Sequence, residues 1–192
     1  MIKESGNIAV HTKNIFPIIK KWLYSDKDIF LRELVSNGCD AVQKVKRLSD
    51  IGQADLGGQQ AFKVTVELDK KNGILRIIDN GIGMTADEIK KYINQVAFSS
   101  AQEFMEKYKD QPGEESQIIG HFGLGFYSAF MVAHKVQIDT LSYLEDAQGV
   151  RWISETGTEY EMEPSDTQTK RGTTITLHIA KDSKEFLEGY RI

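Results

Sequence analysis

The sequence predicts an α+β fold, a two-layer sandwich in which helices cover a mostly antiparallel sheet. Three observations predict it: a long amphipathic helix early in the chain, a hairpin signal in the middle, and a run of short strand-like segments late. The 192 residues suffice for one large domain with a sizeable core. A content of 40% apolar and 27% charged residues is ordinary for a soluble globular chain.

The elements follow in order. Asn14 to Leu23 is a short helix candidate with Pro17 early, where proline is tolerated best. Ser25, Asp26 and Asp28 supply capping chemistry for the strongest helix, about Asp28 to Leu48, whose apolar positions Ile29, Leu31, Leu34, Val35, Val42, Val45 and Leu48 keep mostly helical spacing. Ile51 to Gln60 reads as a loop. Phe62, Val64, Val66 and Leu68 alternate as a strand does, Asn72-Gly73 signals a turn, and Ile74 to Ile78 is the return strand. Thr85 with Glu88 forms a capping box opening a helix to about Val96. Ala97 to Ile119 is a polar excursion of a length that usually serves function. A helix is expected over Phe126 to Val132, then strands at Lys135–Leu141, Val150–Glu155, Glu159–Met162 and Thr173–Ile179.

Charge and composition exclude some roles. The formal net charge of −4 offers no broad basic surface for nucleic acid. Cys39 is the only cysteine, so no disulfide forms within the chain, which fits a reducing compartment. The opening MIKESGNIAV lacks the apolar core of a signal peptide, and no run approaches the roughly 20 apolar residues of a membrane span. A cytoplasmic protein without membrane contact is the expectation. His11, His121, His134 and His178 show no ligand spacing, and no zinc or nucleophilic-triad pattern occurs.

Four local patterns carry candidate chemistry. Glu33, Asn37 and Asp40 stand at i, i+4 and i+7 on one face of the long helix. Asp79 ends an apolar strand and is followed by Gly81 and Gly83, so a carboxylate there could accept a hydrogen bond from an exocyclic amine while the glycines admit a flat ring. Gly120-x-x-Gly123-x-Gly125 precedes a helix and has neither P-loop nor dinucleotide spacing, yet free amides at a helix start suit phosphate. Gly172-Thr173 opens the last strand. Each admits a plainer reading alone: a solvated helix face, a turn, a hinge, simple strand propensity.

In this fixed order the four patterns resemble the Bergerat nucleotide-binding fold of type II topoisomerases, histidine kinases, mismatch-repair ATPases and heat-shock chaperones. The segments Ile29 to Asn37, Asp79-x-Gly81-Ile82-Gly83-Met84-Thr85, Ile119-Gly120-x-Phe122-Gly123-x-Gly125-Phe126-Tyr127-Ser128, Arg171-Gly172-Thr173 and Phe186-Leu187-Glu188 are similar to the signatures of the ninety-kilodalton heat-shock chaperones, bacterial type. The resemblance covers nearly the whole chain. It implies one N-terminal ATP-binding domain over residues 1–192 of a longer multidomain chaperone, an expectation that the ending at Glu188 to Ile192, directly after a helix candidate, fits.

The resemblance further implies a slow Mg²⁺-dependent ATPase that binds ATP and ADP. Glu33 is the expected general base and Asn37 the Mg²⁺ ligand. Asp79 takes the adenine amine with Thr173, Met84 packs on the base, and Phe126 lines the phosphate and ribose side. Gly83 lies beside the base, Gly120, Gly123 and Gly125 form the lid margin, and Arg32 and Asp40 stand behind the first contacts. Unfolded client proteins and a homodimer of the full-length chaperone are implied as partners, with the isolated domain a monomer. A histidine-kinase-type or topoisomerase-type domain is the alternative. The sequence departs from the family at Gly38-Cys39, where alanine-serine is usual, at Tyr92, which takes the place of the ribose-side asparagine, and at Phe98, which takes that of the lid lysine. Asn94, close to Tyr92, is kept as the ribose-side candidate.

Overall fold

The computed structural model describes residues 27–56, 61–95, 103, 125–155 and 157–192. The short helix candidate at 14–23, the excursion at 97–119 apart from Glu103, and with it Phe98, and Gly120 and Gly123 lie outside the described residues.

A 22-residue helix, α1 (Ile29–Asp50), opens the described fold, and Phe30, Leu34, Gly38, Val45 and Leu48 form its buried stripe. Asp28 stands at its N-cap without making a side-chain cap bond. Its carboxylate instead accepts from Arg191 Nη2 at 2.8 Å, so the expected capping role gives way to a long-range ion pair. Strands β1 (Val64–Asp69) and β2 (Ile74–Asp79) form the expected hairpin, with Gly73 at φ +69° in the turn. The capping box before α2 (Ala86–Tyr92) is complete: Glu88 N–H donates to Thr85 Oγ1, and Thr85 N–H donates to Glu88 Oε2. This helix ends at Tyr92 rather than near Val96.

Gly125–Met131 forms a 3₁₀ helix and not an α-helix, followed by β3 (Ala133–Leu141), β4 (Val150–Ser154), β5 (Glu161–Pro164) and β6 (Gly172–Ile179). β5 falls two residues later than its alternating pattern predicts. Two further 3₁₀ segments, Lys181–Leu187 and Gly189–Arg191, close the chain.

The six strands form one sheet in the order β1-β2-β6-β3-β4-β5, with every pairing antiparallel. The α+β class predicted from sequence is therefore the class observed. Leu75, Ile77, Val136, Ile138 and Leu177 point from the sheet into a core completed by Phe30 and Leu34 of α1 and by Phe130. Burial of one such leucine stabilises by about 1.5–3 kcal/mol. Phe30 meets Phe186 edge to face, with ring centroids 5.1 Å apart, and so ties the closing segment to the first helix. The last strand in sequence, β6, lies inside the sheet between β2 and β3. That insertion places Thr173 of β6 between Asp79 of β2 and Thr140 of β3.

Candidate functional site

The site lies where α1 crosses one end of β2, β6 and β3. On those strands the inward positions run Leu75, Ile77, Asp79; Leu177, Ile175, Thr173; and Val136, Ile138, Thr140. In each case two apolar residues are followed by a polar one in the next inward place. The register pairs Asp79 with Thr173 and Thr173 with Thr140, so the three polar residues form one row across adjacent strands. All three are buried. Such a row is costly unless its members are bonded.

They are bonded. The Asp79 carboxylate accepts from the Gly81 N–H at 2.8 Å and from the backbone N–H of Thr173. The Thr140 hydroxyl accepts from the Met84 N–H at 3.0 Å, donates to the Gly172 carbonyl at 3.1 Å and lies 2.9 Å from the Thr173 hydroxyl. Burial pushes the Asp79 pKa up to about 7, against the lowering effect of the two amides and of Arg171.

The helix contributes the opposite wall. Glu33 and Asn37 are half-buried, Asp40 is buried, and neither the Glu33 carboxylate nor the Asn37 amide has a hydrogen-bond partner among the described residues. A Cβ built on Gly125 would lie 2.6 Å from Glu33 Oε2, so the glycine leaves room for that carboxylate. Gly38, where the resemblance leads one to expect alanine, has a steric cause for its small size. A Cβ there would lie 3.2 Å from both Val64 methyls and 3.5 Å from Asp79 Cβ, where α1 comes close to the strand end. One turn on, Ile82 N–H donates to the Ala41 carbonyl at 2.9 Å and fastens the 79–83 loop to the helix. Gly83 adopts φ +66° with the Leu141 carbonyl against it, a position closed to other residues.

The remaining predicted residues sit at the margins. Met84 is half-buried against the core. Phe126 is buried among Tyr127, Phe130 and Trp152, with its ring 5.6 Å from the Trp152 ring. Asn94 Oδ1 accepts from Trp152 Nε1 at 2.9 Å, and its Nδ2 is the one buried side-chain polar atom without a partner among the described residues. Tyr92 donates its hydroxyl to Glu103 at 3.0 Å.

The sequence reading missed Thr140 and assigned no role to Arg171 or Lys44. The signal for Thr140 was present in the break of the Val136, Ile138 alternation. Lys44, one turn beyond Asp40, is buried on α1. Burial lowers its pKa to about 8, with Asp40 the strongest opposing charge.

Among the described residues no group of three or more His, Cys, Asp or Glu side chains gathers as a metal site. Asn37 offers a hard, neutral oxygen without a hydrogen-bond partner among the described residues. That donor set fits a Mg²⁺ ion carried in on phosphate oxygens, not one held by protein alone.

The family model described as histidine kinase-, DNA gyrase B- and HSP90-like ATPase matches residues 25–186. The chain belongs to this ATPase family. Members of the curated set similar to it include three proteins named chaperone protein HtpG. The one from Porphyromonas gingivalis is 50% identical over 191 residues, covering 100% of this chain and 27% of that protein. The one from Bacteroides thetaiotaomicron is 54% identical over 191 residues, covering 98% and 27%. The one from Rickettsia rickettsii is 38% identical over 192 residues, covering 100% and 31%. The chain therefore spans between a quarter and a third of the length of these relatives. Family membership accounts for the α+β sheet with its helical layer. No helix among the described residues is long and apolar enough to cross a membrane.

Proposed function

We propose that this chain is the ATP-binding domain of a chaperone ATPase, with the adenine held at the Asp79–Thr173–Thr140 row. The observation that carries the reading is the Asp79 carboxylate, buried at a strand end, bonded by two amides and flanked by glycines. A buried acceptor beside a backbone a ring can approach suits an exocyclic amine. Met84 packs against the base, and Thr173 supplies the second polar contact. Asn94 Nδ2, a donor without a partner, serves the ribose side. Phe126, with Gly120, Gly123 and Gly125, borders the phosphates.

Asn37 would hold Mg²⁺ carried in on phosphate oxygens. When bound, the ion neutralises phosphate charge. Glu33 accepts the proton of the water that attacks the terminal phosphorus, and the γ-phosphoryl group passes to that water as ADP leaves. Its carboxylate, unbonded among the described residues and given room by Gly125, is available for that proton. Asp40 supports the helix face behind it. Slow turnover is expected of this domain alone. The similarity to proteins named chaperone HtpG supports a role in assisting unfolded clients in the cytoplasm as a homodimer, with nucleotide state driving the longer protein.

The test is calorimetric titration of the chain with ADP and ATP, with and without Mg²⁺. Saturable binding of both, tighter with Mg²⁺, is expected. Absence of binding by either nucleotide overturns the reading.

A further inference from the structure

Arg171, Gly172 and Thr173 each hold a different part of the Asp79–Gly81 turn. Arg171 Nη1 donates to the Asn80 carbonyl and, at 2.7 Å, to the Gly81 carbonyl. Gly172 adopts φ +129°, and a Cβ on it would lie 2.2 Å from the Asp79 carbonyl oxygen, so only glycine lets β6 pass this close. Thr173 gives its backbone N–H to the Asp79 carboxylate.

The turn has a defined internal geometry. The Gly81 N–H points back to Asp79 Oδ1, which fixes the carboxylate plane, while the carbonyls of Asn80 and Gly81 are taken by Arg171. Without the guanidinium, two half-buried carbonyls would lose their charge-assisted donor, and the turn could rotate the Gly81 amide away from Asp79. Both bonds leave one nitrogen, Nη1, whose hydrogens the planar guanidinium holds in fixed directions, as a freely rotating ammonium does not.

We propose that Arg171 is a positioning residue for adenine recognition, holding the Asn80 and Gly81 carbonyls so that the Asp79 carboxylate faces the base in one orientation. This inference rests on the nucleotide-binding reading of the site. Arg171 acts through the loop, whose Asn80 and Gly81 carbonyls it holds. Its positive charge also favours the ionised form of Asp79 against burial, which gives its role an electrical signature besides a structural one.

The experiment compares Arg171→Met and Arg171→Lys with the wild-type chain. ADP affinity is measured by calorimetry at pH 7.5, and the Asp79 carboxyl carbon is followed by NMR titration without ligand. Arg171→Met should lower ADP affinity about tenfold and move the Asp79 midpoint upward. Arg171→Lys should restore most of the midpoint and only part of the affinity, since it keeps the charge and loses the fixed donor direction of the planar group. Wild-type affinity with an unmoved midpoint in a folded Arg171→Met chain overturns the proposal. So does an equal loss in both variants with no change of midpoint, which marks a merely structural arginine. If Arg171→Met does not fold, Arg171→Lys decides: reduced affinity at unchanged melting temperature supports positioning, and full affinity overturns it. A wild-type chain that ignores ADP overturns the functional reading itself, and the midpoint titration, needing no ligand, keeps the two failures apart.

Discussion

The hydroxyl oxygens of Thr140 and Thr173 lie 2.9 Å apart across β3 and β6, joining the Asp79 end of the sheet to the loop that carries Met84. Thr140 has one proton, so its donation to the Gly172 carbonyl leaves Thr173 as the donor of the pair. Thr140→Val keeps the shape and strands the Met84 N–H and the Gly172 carbonyl. We expect a stability loss of about 1–3 kcal/mol in denaturant unfolding and weaker ADP binding, with Thr140→Ser recovering most of both. Equal stability of Thr140→Val and wild type would show that this hydroxyl is not a structural node.

The raised pKa of Asp79 makes stability and recognition respond oppositely to pH. Its folded value, about 7, lies above the ordinary 3.8 chiefly because of burial. Between these values the unfolded chain has released the proton while the folded chain still holds it. The aspartate's contribution is therefore fully present below about pH 4 and is lost as pH rises to 7. Acceptance of the adenine amine needs the ionised form, so affinity should rise over pH 6 to 8. Adenosine, which has no phosphate titrating in this range, is the probe. Asp79→Asn should flatten the stability profile and weaken adenosine and ADP about 10- to 100-fold. An adenosine affinity independent of pH in the wild-type chain would remove Asp79 from the recognition of the amine.

Gly125 leaves room for the Glu33 carboxylate, and a methyl there would sit 2.6 Å from Oε2. Gly125→Ala should push the carboxylate aside, lowering ATP turnover about ten- to hundredfold with ADP affinity within about twofold. Glu33→Ala should lose about 10²–10⁴-fold in turnover and retain ATP. Parallel losses of binding and turnover in Glu33→Ala would instead make the residue part of the helix framework.

Gly38 sits inside α1, where alanine is intrinsically better by about 1 kcal/mol. The added methyl would meet both Val64 methyls at 3.2 Å. Gly38→Ala alone should therefore gain less than that amount, and the gain should be larger by about 0.5–1 kcal/mol in a Val64→Ala background. A double-mutant cycle on unfolding free energies reads the coupling directly. Additive effects would mean that β1 yields to the methyl without strain.

Much of this molecule is written locally. The 3.6-residue spacing of Leu34, Val45 and Leu48, the alternation of Leu75 and Ile77, and the Thr85–Glu88 box each encode an element through contacts a few residues apart. The helix-face triple Glu33, Asn37 and Asp40 was legible for the same reason. The end of α2 and the 3₁₀ form of 125–131 were not legible. No breaker residue marks the first, and tertiary packing buries the second along nearly its whole length.

By itself the sequence determined the α+β class, the strand list and the helix face that walls the candidate site, because periodicity and capping act within a few residues. Only the tertiary structure decided that β6 inserts between β2 and β3, and with that the row Asp79, Thr173, Thr140. These residues come from strands far apart in the chain, and their register depends on pairing energies summed along whole strands. The same holds for Asp28, whose carboxylate is claimed by Arg191 from the far end of the fold. Local capping chemistry could not foresee that competitor, since nothing near Asp28 in sequence signals a cation that folding alone brings within reach.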